Sequence, residues 1–251
     1  MKIVSLCPSL TELVFDLGRG ADLVGITKFC IHPKDGVADL EKVGGTKNPD
    51  IQRILDLAPD IVLLNREENR VEDADALTEA GLRCHSSMPR TIEETASMVR
   101  SIGAALERDG DGQRIARSIE SRADHARTQA RKRPPVSFAY MIWREPWMSV
   151  NRDTFADALL REAGGTNVFG DRSERYPTIE LKELRERDPQ LVLLCTEPFP
   201  FQAKHIEEMS VETGLPPARF RIADGEYLSW HGSRTPAGID YALQLLASAG
   251  E

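Results

Sequence analysis

Apolar residues recur at helical spacing through a long, otherwise polar stretch near the middle of the chain. Because successive steps are four, four, three and four residues, these positions form one stripe along a helix. The pattern predicts an amphipathic helix over residues 111–133 with one narrow packed face. At 1.5 Å per residue it would be roughly 33 Å long, which suits a strut between two lobes or an ordinary helix in one large domain. The stripe consists of Ile115, Ile119, Ala123, Ala126 and Ala130.

Short apolar runs alternate with helical patterns through the first half of the chain. Ser9 with Glu12, and Thr91 with Glu94, form capping-box patterns, so Ser9 is predicted as a helix cap rather than a nucleophile. Strands that alternate with helices predict a mainly parallel sheet. The runs typical of buried strands cover residues 3–6, 23–27, 59–65 and 81–85. The helical patterns cover residues 10–17, 50–57, 72–80 and 91–107.

The second half of the chain repeats the first. Residues 59–65, Pro-Asp-Ile-Val-Leu-Leu-Asn, are matched at an offset of 130 by residues 189–195, Pro-Gln-Leu-Val-Leu-Leu-Cys. A short helical pattern precedes each run, and an acid follows each at the same step, Glu67 and Glu197. The agreement of strand, preceding helix and following acid favours a domain-scale duplication over chance recurrence.

These patterns predict an α/β protein of two Rossmann-like lobes joined by one long rigid helix. The lobes are expected at residues 1–109 and 134–251, with the linking backbone helix in residues 110–133. Ligands bind at the carboxyl ends of strands in open parallel sheets, so we expect a ligand cleft between the lobes. A helical strut should also limit lobe closure more than a hinge loop does. Further strand and helix patterns cover residues 136–143, 154–162 and 219–223.

Composition and charge exclude several classes of protein. The net charge of −8 argues against nucleic acid as a partner, because phosphate binding requires a basic surface. No run of 18 apolar residues occurs, so we expect no membrane-spanning helix. Four cysteines without a CxxC pair suit a reducing compartment. Residues 1–6 enter a strand pattern without a visible secretion leader, which predicts a cytoplasmic protein, or a periplasmic or cell-surface protein if a leader was removed. We also expect the protein to be a monomer.

The loops that follow the predicted strands carry the residues best suited to a ligand. All three tryptophans lie in such loops, and large rings with a few polar groups suit a big, flat or partly apolar molecule. The candidate ligand-binding residues of the first lobe are Pro8, Ser9, Phe29, His32, Glu68 and Asn69. Those of the second lobe are Trp143, Arg144, Trp147, Tyr176, Glu197, Phe199, Phe201, Trp230, His231 and Arg234.

The tryptophans also have a structural interpretation. Trp143 fits the end of a buried strand as well as it fits a ligand surface. Trp147 and Trp230 are flanked by arginine, proline, histidine or glycine, which is unusual for core positions. We therefore expect Trp147 and Trp230 to lie near the ligand.

The arginines of these loops leave two interpretations open. Arg144, Arg175 and Arg234 either hold an anionic ligand group bidentately or pair with nearby acids to hold loops in place. In the first case Arg234 or Arg144 would lie on the polar edge of the ligand. The acids available for the second case are Glu145, Glu174 and Asp224.

Metal chemistry has only a partial signature. Cys30 and His32 supply half of a metal site, and the spacing does not specify further ligands such as His85 or Glu68. Cys30, His32 and His231 are therefore weak metal candidates, with His231 or His32 as a conceivable axial ligand of a bound chelate. No resident cofactor is predicted.

Catalysis is the alternative to simple binding. Glu67 or Glu68 with Glu197 could form an acid/base pair across a cleft, although no neighbouring residue in the sequence visibly activates them. The sequence contains no Gly-x-Ser-x-Gly elbow, P-loop or dinucleotide fingerprint. We therefore expect a binding protein, with a cytoplasmic metal-dependent enzyme or a ligand sensor as alternatives.

Several motifs together resemble a known family. The opening at residues 3–12, the stretch at residues 43–55, the strand at residues 59–64 and the long central helix resemble the helical-backbone periplasmic binding proteins. The closer resemblance is to a leaderless subgroup of helical-backbone metal receptors. It is carried by residues 29–33, 67–69, 143–148, 197–201, 224–226 and 229–234.

This resemblance implies a function in binding and transport. It implies a substrate-binding protein for a metal chelate or corrinoid, of the cobalamin or ferric-siderophore type, working with an ABC importer. Family members dock on the permease through one exposed glutamate per lobe. Glu72 is the match in the first lobe, and the second lobe offers no clean match.

Overall fold

The computed structural model describes residues 1–250, and the chain in it forms two compact units. Unit 1 comprises Met1–Pro89, Glu93–Ser118 and the short segment His231–Arg234. Unit 2 comprises Arg90–Ile92, Ile119–Trp230 and the residues from Thr235 onward. A segment close to the carboxyl end of the chain therefore completes the amino-terminal unit.

Unit 1 is built on a four-stranded parallel sheet in the order β2-β1-β3-β4. Seven apolar side chains around the two central strands form a fully buried core, including Val62, Leu64 and Ile54. The strands are β1 (Ile3–Ser5), β2 (Leu23–Ile26), β3 (Ile61–Asn65) and β4 (Cys84–Ser87). The helices before the central one are α1 (Pro8–Asp16), α2 (Lys34–Val37), α3 (Ile51–Leu57), α4 (Val71–Glu79) and α5 (Ile92–Ala105).

Unit 2 contains a second four-stranded parallel sheet, in the order β6-β5-β7-β8. Its order matches that of unit 1 strand for strand, with β3 and β7 as the equivalent central strands, as the repeat predicts. The strands are β5 (Val136–Met141), β6 (Gly165–Asn167), β7 (Leu191–Cys195) and β8 (Phe220–Ala223). The helices are α7 (Phe155–Glu162), α8 (Leu181–Arg187), α9 (Ala203–Thr213), α10 (Gly225–Ser229) and α11 (Thr235–Ala247). Short 3-10 helices cover Gly20–Asp22, Pro217–Arg219 and Ser248–Gly250.

The predicted central helix is present as α6 (Asp109–Ala130), so it begins two residues earlier and ends three residues earlier than expected. The apolar stripe is its packed face, since Ile115, Ile119, Ala123 and Ala126 are all buried. None of the helices in residues 1–250 has both the length and the apolar character needed to cross a membrane.

The predicted capping box at Ser9 is wrong. Helix α1 starts at Pro8, with Cys7 at the N-cap position and no side-chain cap. Proline suits the first helical position because its fixed φ is already helical and its missing N–H needs no partner. Ser9 therefore lies inside the helix, where its hydroxyl contacts Cys7 Sγ at 3.3 Å.

Helix α3 has the polar cap that α1 lacks. The Oδ1 atom of Asp50 accepts a hydrogen bond from the backbone N–H of Arg53 at 3.0 Å, and so satisfies one of the free donors at the helix start. The sequence pattern placed Asp50 as the first residue of this helix. In the structure it is the N-cap residue that precedes the helix.

Removing this cap should destabilise the protein measurably. We expect Asp50→Ala to lower the free energy of unfolding by about 1 kcal/mol, because one helix N–H loses its acceptor. Glu180→Ala is the matched control, since Glu180 is the N-cap residue of α8 but makes no side-chain cap bond. Chemical denaturation of both variants tests this, and equal losses in the two would contradict the assignment.

Candidate ligand-binding site

The carboxyl ends of the parallel strands gather the candidate residues of each unit at one edge of its sheet. In unit 1 the loops after β1, β2 and β3 reach this edge, and the segment His231–Arg234 belongs to the same unit. In unit 2 the loops after β5 and β7 do so, together with α10.

Two buried asparagines organise the loops of unit 1. The amide nitrogen of Asn69 donates to the carbonyl oxygens of Leu6 and Thr46, both at 2.9 Å. Its Oδ1 atom accepts from the backbone N–H of Asn65 at 2.8 Å. Asn69 thereby joins the loops that follow β1 and β3 to a third loop, and its amide is occupied in holding them. We assign it a positioning role beside the ligand surface.

Asn65, the last residue of β3, fixes the other half of this arrangement. Its Oδ1 atom accepts from the backbone N–H groups of Glu67 at 2.9 Å and Glu68 at 3.2 Å. Because the oxygen is used in this way, the amide nitrogen is the atom that contacts His231 Nε2 at 3.1 Å. Nε2 must then accept, which leaves the proton of the neutral imidazole on Nδ1.

This bond bears on the proposed metal role of His231. The side chain is buried, and burial lowers its pKa to about 4, so the ring is neutral near pH 7. Neutral imidazole is the form that binds metals, but the lone pair of Nε2 is already directed at Asn65. An axial role for His231 through Nε2 would therefore require this hydrogen bond to break.

Arg234 is held by an acid of its own unit. Its Nε and Nη2 atoms donate to the two carboxylate oxygens of Glu12 at 2.8 and 2.6 Å, in a bidentate pair that is mostly shielded from water. Of the two roles open to Arg234 in the sequence, the structure shows pairing with an acid, and the acid is Glu12 rather than Asp224. Asp224 instead caps α10.

The thiol of Cys30 lies in a cluster of hydroxyl groups. Its Sγ atom is 3.1 Å from Thr11 Oγ1 and 3.2 Å from Thr27 Oγ1, and burial raises its pKa. Burial, with a smaller effect of the Glu68 carboxylate, raises the pKa of Cys7 to about 12. Burial therefore favours the protonated thiol at both positions near pH 7. Within residues 1–250 no three histidine, cysteine or acidic side chains gather into a potential metal site.

The loop after β2 exposes apolar surface beside these groups. Phe29 and Ile31 are each 50% exposed, and Lys28 Nζ lies 5.1 Å from the centre of the Phe29 ring. His32 and Pro8 are half-buried, while Glu68 is exposed. Lys47 Nζ donates to the carbonyl oxygen of Glu67 at 2.6 Å.

Unit 2 presents a cluster of mutually packed rings, which we call the aromatic cluster. Trp143 meets the edge of Phe199 with ring centres 5.8 Å apart, and Phe199 meets Phe201 at 4.7 Å. Trp147 stacks on Phe201 at 6.2 Å with the ring planes 9° apart. The ring of His205 lies 5.4 Å from Phe199 and 5.5 Å from Phe201. The cluster therefore consists of Trp143, Trp147, Phe199, Phe201 and His205.

Exposure separates the rings that can meet a ligand from those that support them. Trp143 is 39% exposed, whereas Trp230 is 8% exposed and Phe201 is 3% exposed. Trp147 and Phe199 are half-buried against the core, and Tyr176 is exposed. Of the two interpretations left open for Trp143, the structure shows a surface position, while Trp230 is interior despite its polar neighbours in the sequence.

The two candidate arginines of unit 2, Arg144 and Arg175, are also paired with acids. Arg144 forms a short ion pair with Glu208 and lies 3.6 Å from Glu145, and its guanidinium stands 5.7 Å from the centre of the Trp147 ring. Arg175 pairs with Asp153 at 3.2 Å. Of the acids named from the sequence, Glu145 does contact Arg144. The closer partners of Arg144 and Arg175 are Glu208 and Asp153, which are distant in the sequence.

A buried polar network supports the end of β7. Trp230 Nε1 donates to Glu197 Oε2 at 3.2 Å. Beneath it, the hydroxyl of Tyr140 lies 2.6 Å from Cys195 Sγ and 3.2 Å from the hydroxyl of Ser229. Burial raises the pKa of Cys195 to about 11, so the thiol stays protonated near pH 7.

Gly225 lets α10 approach this network. A Cβ atom at this position would come within 2.3 Å of Glu197 Cγ and 2.8 Å of Cys195 Sγ. The close approach explains a glycine in a sequence, Asp-Gly-Glu, that otherwise resembles an ordinary turn.

Sequence reasoning missed several residues that shape these surfaces. His205 is absent from the candidates, yet it is buried and its Nδ1 atom accepts a hydrogen bond from the backbone N–H of Gln202 at 2.8 Å. Asn65 and Tyr140 are organising residues that no motif indicates. A polar residue ending an apolar strand was the only available signal for Asn65.

Comparison with known proteins adds the family context. A family model described as periplasmic binding protein matches residues 3–210. A vitamin B12-binding protein of Vibrio cholerae serotype O1 is 24% identical over 191 residues, which cover 76% of this chain and 69% of that protein.

Two solved structures share the fold across nearly the whole chain. The periplasmic vitamin B12 binding protein BtuF of Vibrio cholerae has a TM-score of 0.84 at 20% identity, with 100% of this chain and 98% of that chain covered. The periplasmic heme-binding protein RhuT from Roseiflexus sp. RS-1, in its apo form, has a TM-score of 0.83 at 22% identity, with 99% and 98% covered.

These matches confirm the two-lobed α/β fold and the family resemblance expected from the motifs. Both structural relatives are named as periplasmic binding proteins. They therefore support neither the cytoplasmic location expected from the sequence nor the enzyme alternative.

Because His231 is buried, we expect the free energy of unfolding to fall as the pH is lowered below neutral. Its folded pKa of about 4 lies below the unfolded value of 6.5, so folding resists protonation of the ring. The stability it contributes is present above pH 6.5 and is lost as the pH falls toward 4. From pH 7 to pH 5 this group should remove about 1–2 kcal/mol from the free energy of unfolding.

His231→Gln tests this expectation, because glutamine offers Asn65 an acceptor but does not titrate. The variant should lose less stability than the parent between pH 7 and pH 5, measured by chemical denaturation at each pH. His125→Gln, an exposed position on α6, is the control and should keep the parental slope. Equal slopes for all three proteins would show that His231 is not the titrating group.

Proposed function

The chain belongs to the periplasmic binding protein family, and on that premise we propose that it binds a large metal chelate of the corrinoid, heme or ferric-siderophore type. The named relatives bind vitamin B12 or heme. The proposal assigns the protein binding and delivery of this ligand, with no chemical change to it.

The observation that carries the proposal is the exposed edge of the aromatic cluster in unit 2. Trp143 exposes 39% of its surface at the end of β5, and the half-buried rings of Trp147 and Phe199 flank it. Exposed tryptophan held by other rings gives a broad apolar surface with little freedom to lose on binding. Such a surface suits the flat face of a macrocycle better than a sugar, an amino acid or a bare metal ion.

Unit 1 supplies a second candidate surface at its own strand ends. Phe29 and Ile31 are exposed there, and Glu68 and the half-buried His32 add polar groups. We propose that these side chains contact the ligand, together with Pro8 and Ser9 at the start of α1. Asn69, His231 and Arg234 then act by holding the loops, because each is bonded within unit 1.

The proposed transport role involves a compartment and a membrane partner. We propose a periplasmic monomer that hands its ligand to an ABC permease, with α6 as the backbone helix linking residues 1–109 and 134–251. Glu72, exposed in the first turn of α4, is the candidate contact of unit 1 with the permease. Pull-down with a purified permease by the parent but not by Glu72→Arg would support it.

Ligand titration tests the central proposal. We expect cyanocobalamin or hemin to quench tryptophan emission and raise the melting temperature of the purified protein, because Trp143 would be covered. Unchanged emission and melting temperature with cyanocobalamin, cobinamide, hemin and ferric siderophores at high micromolar concentrations would reject this ligand class.

A single substitution then tests the aromatic surface. Trp143→Ala should weaken binding by about tenfold or more, since truncating an exposed aromatic anchor at a binding surface removes much of its contact energy. Val211→Ala is the control, because Val211 is 84% exposed on α9 and outside the aromatic cluster. Isothermal titration of both variants gives the comparison, and parental affinity in Trp143→Ala would contradict the assignment.

A further inference from the structure

The guanidinium beside the aromatic cluster is already neutralised by the protein. Arg144 forms its short ion pair with Glu208, lies 3.6 Å from Glu145, and stands over the Trp147 ring at 5.7 Å. Its side chain and that of Glu208 are each about 30% exposed or less, so the pair is only partly screened by water. The ion pair weakens the attraction of this guanidinium for a ligand carboxylate, and the Nε atom of Arg144 is buried without a hydrogen-bond partner.

The other charged groups near the aromatic cluster are mostly acids. Glu145 is largely exposed, and Glu197 follows β7 two residues before Phe199 and is tied to Trp230 through its Oε2 atom. Lys204, exposed in the first turn of α9, is the additional cation there. Acids therefore outnumber the cations Arg144 and Lys204 in the chain segments that carry these rings, which disfavours a further negative charge.

A different set of charges lies at Tyr176. The carboxylate of Asp153 pairs with Arg175 and with Arg90, each at 3.2 Å, and the Arg175 guanidinium lies 5.9 Å from the Tyr176 ring. The inference below is confined to the surface formed by Trp143, Trp147 and Phe199.

We infer that the Glu208–Arg144 pair makes this surface selective for an uncharged, amide-bearing rim over a rim that carries carboxylates. This inference rests on the proposed function and narrows its ligand class. Carboxylates such as Glu145 and Glu197 accept hydrogen bonds from primary amides but repel another carboxylate. A macrocycle with neutral side-chain amides therefore fits this surface better than one with propionate groups.

A series of four matched ligands tests the selectivity without altering the protein. Cyanocobalamin is compared by isothermal titration with its three monocarboxylate isomers, in which one peripheral propionamide is replaced by a carboxylate. At low ionic strength at least one isomer should bind about tenfold more weakly than the parent compound, and added salt should shrink the difference.

The variant Glu208→Gln tests the cause. It keeps the shape of the side chain but releases the charge of Arg144, so the penalty for the carboxylate isomer should fall toward parity. Glu212→Gln, an exposed change of the same kind one turn farther along α9, should leave the penalty in place. An unchanged penalty in Glu208→Gln would overturn the assigned cause.

The outcomes separate this inference from the proposed function. Binding of cyanocobalamin and all three isomers with equal affinity overturns the charge selectivity and leaves the proposed function standing. Binding of hemin with no binding of any corrinoid also overturns the charge selectivity, because hemin carries two carboxylates, and it also leaves the proposed function standing. Failure of every chelate to bind rejects the proposed function and the inference together.

Discussion

The buried amide pair Asn65 and Asn69 is the interaction on which the loop edge of unit 1 depends. Between them these two side chains satisfy backbone groups in the loops after β1 and β3, and in the loop around Thr46. Buried amides left without partners cost free energy, so the loops and the amides stabilise one arrangement together. The bond from Asn65 to His231 extends this arrangement to a segment 166 residues away in the chain.

Unit 2 supports the equivalent edge by different chemistry. The offset of 130 that relates the halves places Cys195 at the position of Asn65. Cys195 ends β7 as Asn65 ends β3, but it contacts the hydroxyl of Tyr140 instead of bonding to loop amides. Above it the loops are held by packed rings in place of an amide network. One duplicated scaffold thus carries a polar edge in one unit and an aromatic edge in the other.

The candidate arginines are also held by partners within their own unit. Arg144, Arg175 and Arg234 are the arginines that the loop sequences offer to a ligand, and each is bonded to an acid of its own unit. A charge paired in this way keeps its side chain in place, and its attraction for an outside anion is reduced. In the proposed function, recognition at the Trp143 surface would therefore rest on ring faces and hydrogen-bond acceptors more than on positive charge.

The sequence by itself determined the architecture. Apolar periodicity located α6 to within three residues at either end, and the repeated run at residues 59–65 and 189–195 located the equivalent strands β3 and β7. It also placed Trp143 and Trp147 in the loop after β5, whereas Trp230 follows the short helix α10. These features are local, because a strand or helix is encoded by the spacing of residues within it. The strand β6 was missed because three residues including a glycine carry too little pattern.

Only the tertiary structure decided what each candidate side chain does. The pairing of Arg234 with Glu12 joins residues 222 positions apart, and no local pattern encodes such a partner. The local sequence did not predict exposure either, since Trp143 follows an apolar run but lies at the surface, whereas Trp230 has polar neighbours but lies in the interior. Spacing along the chain specifies which face a residue occupies on its own element. The residues packed against that face come from other elements, and the fold alone brings them there.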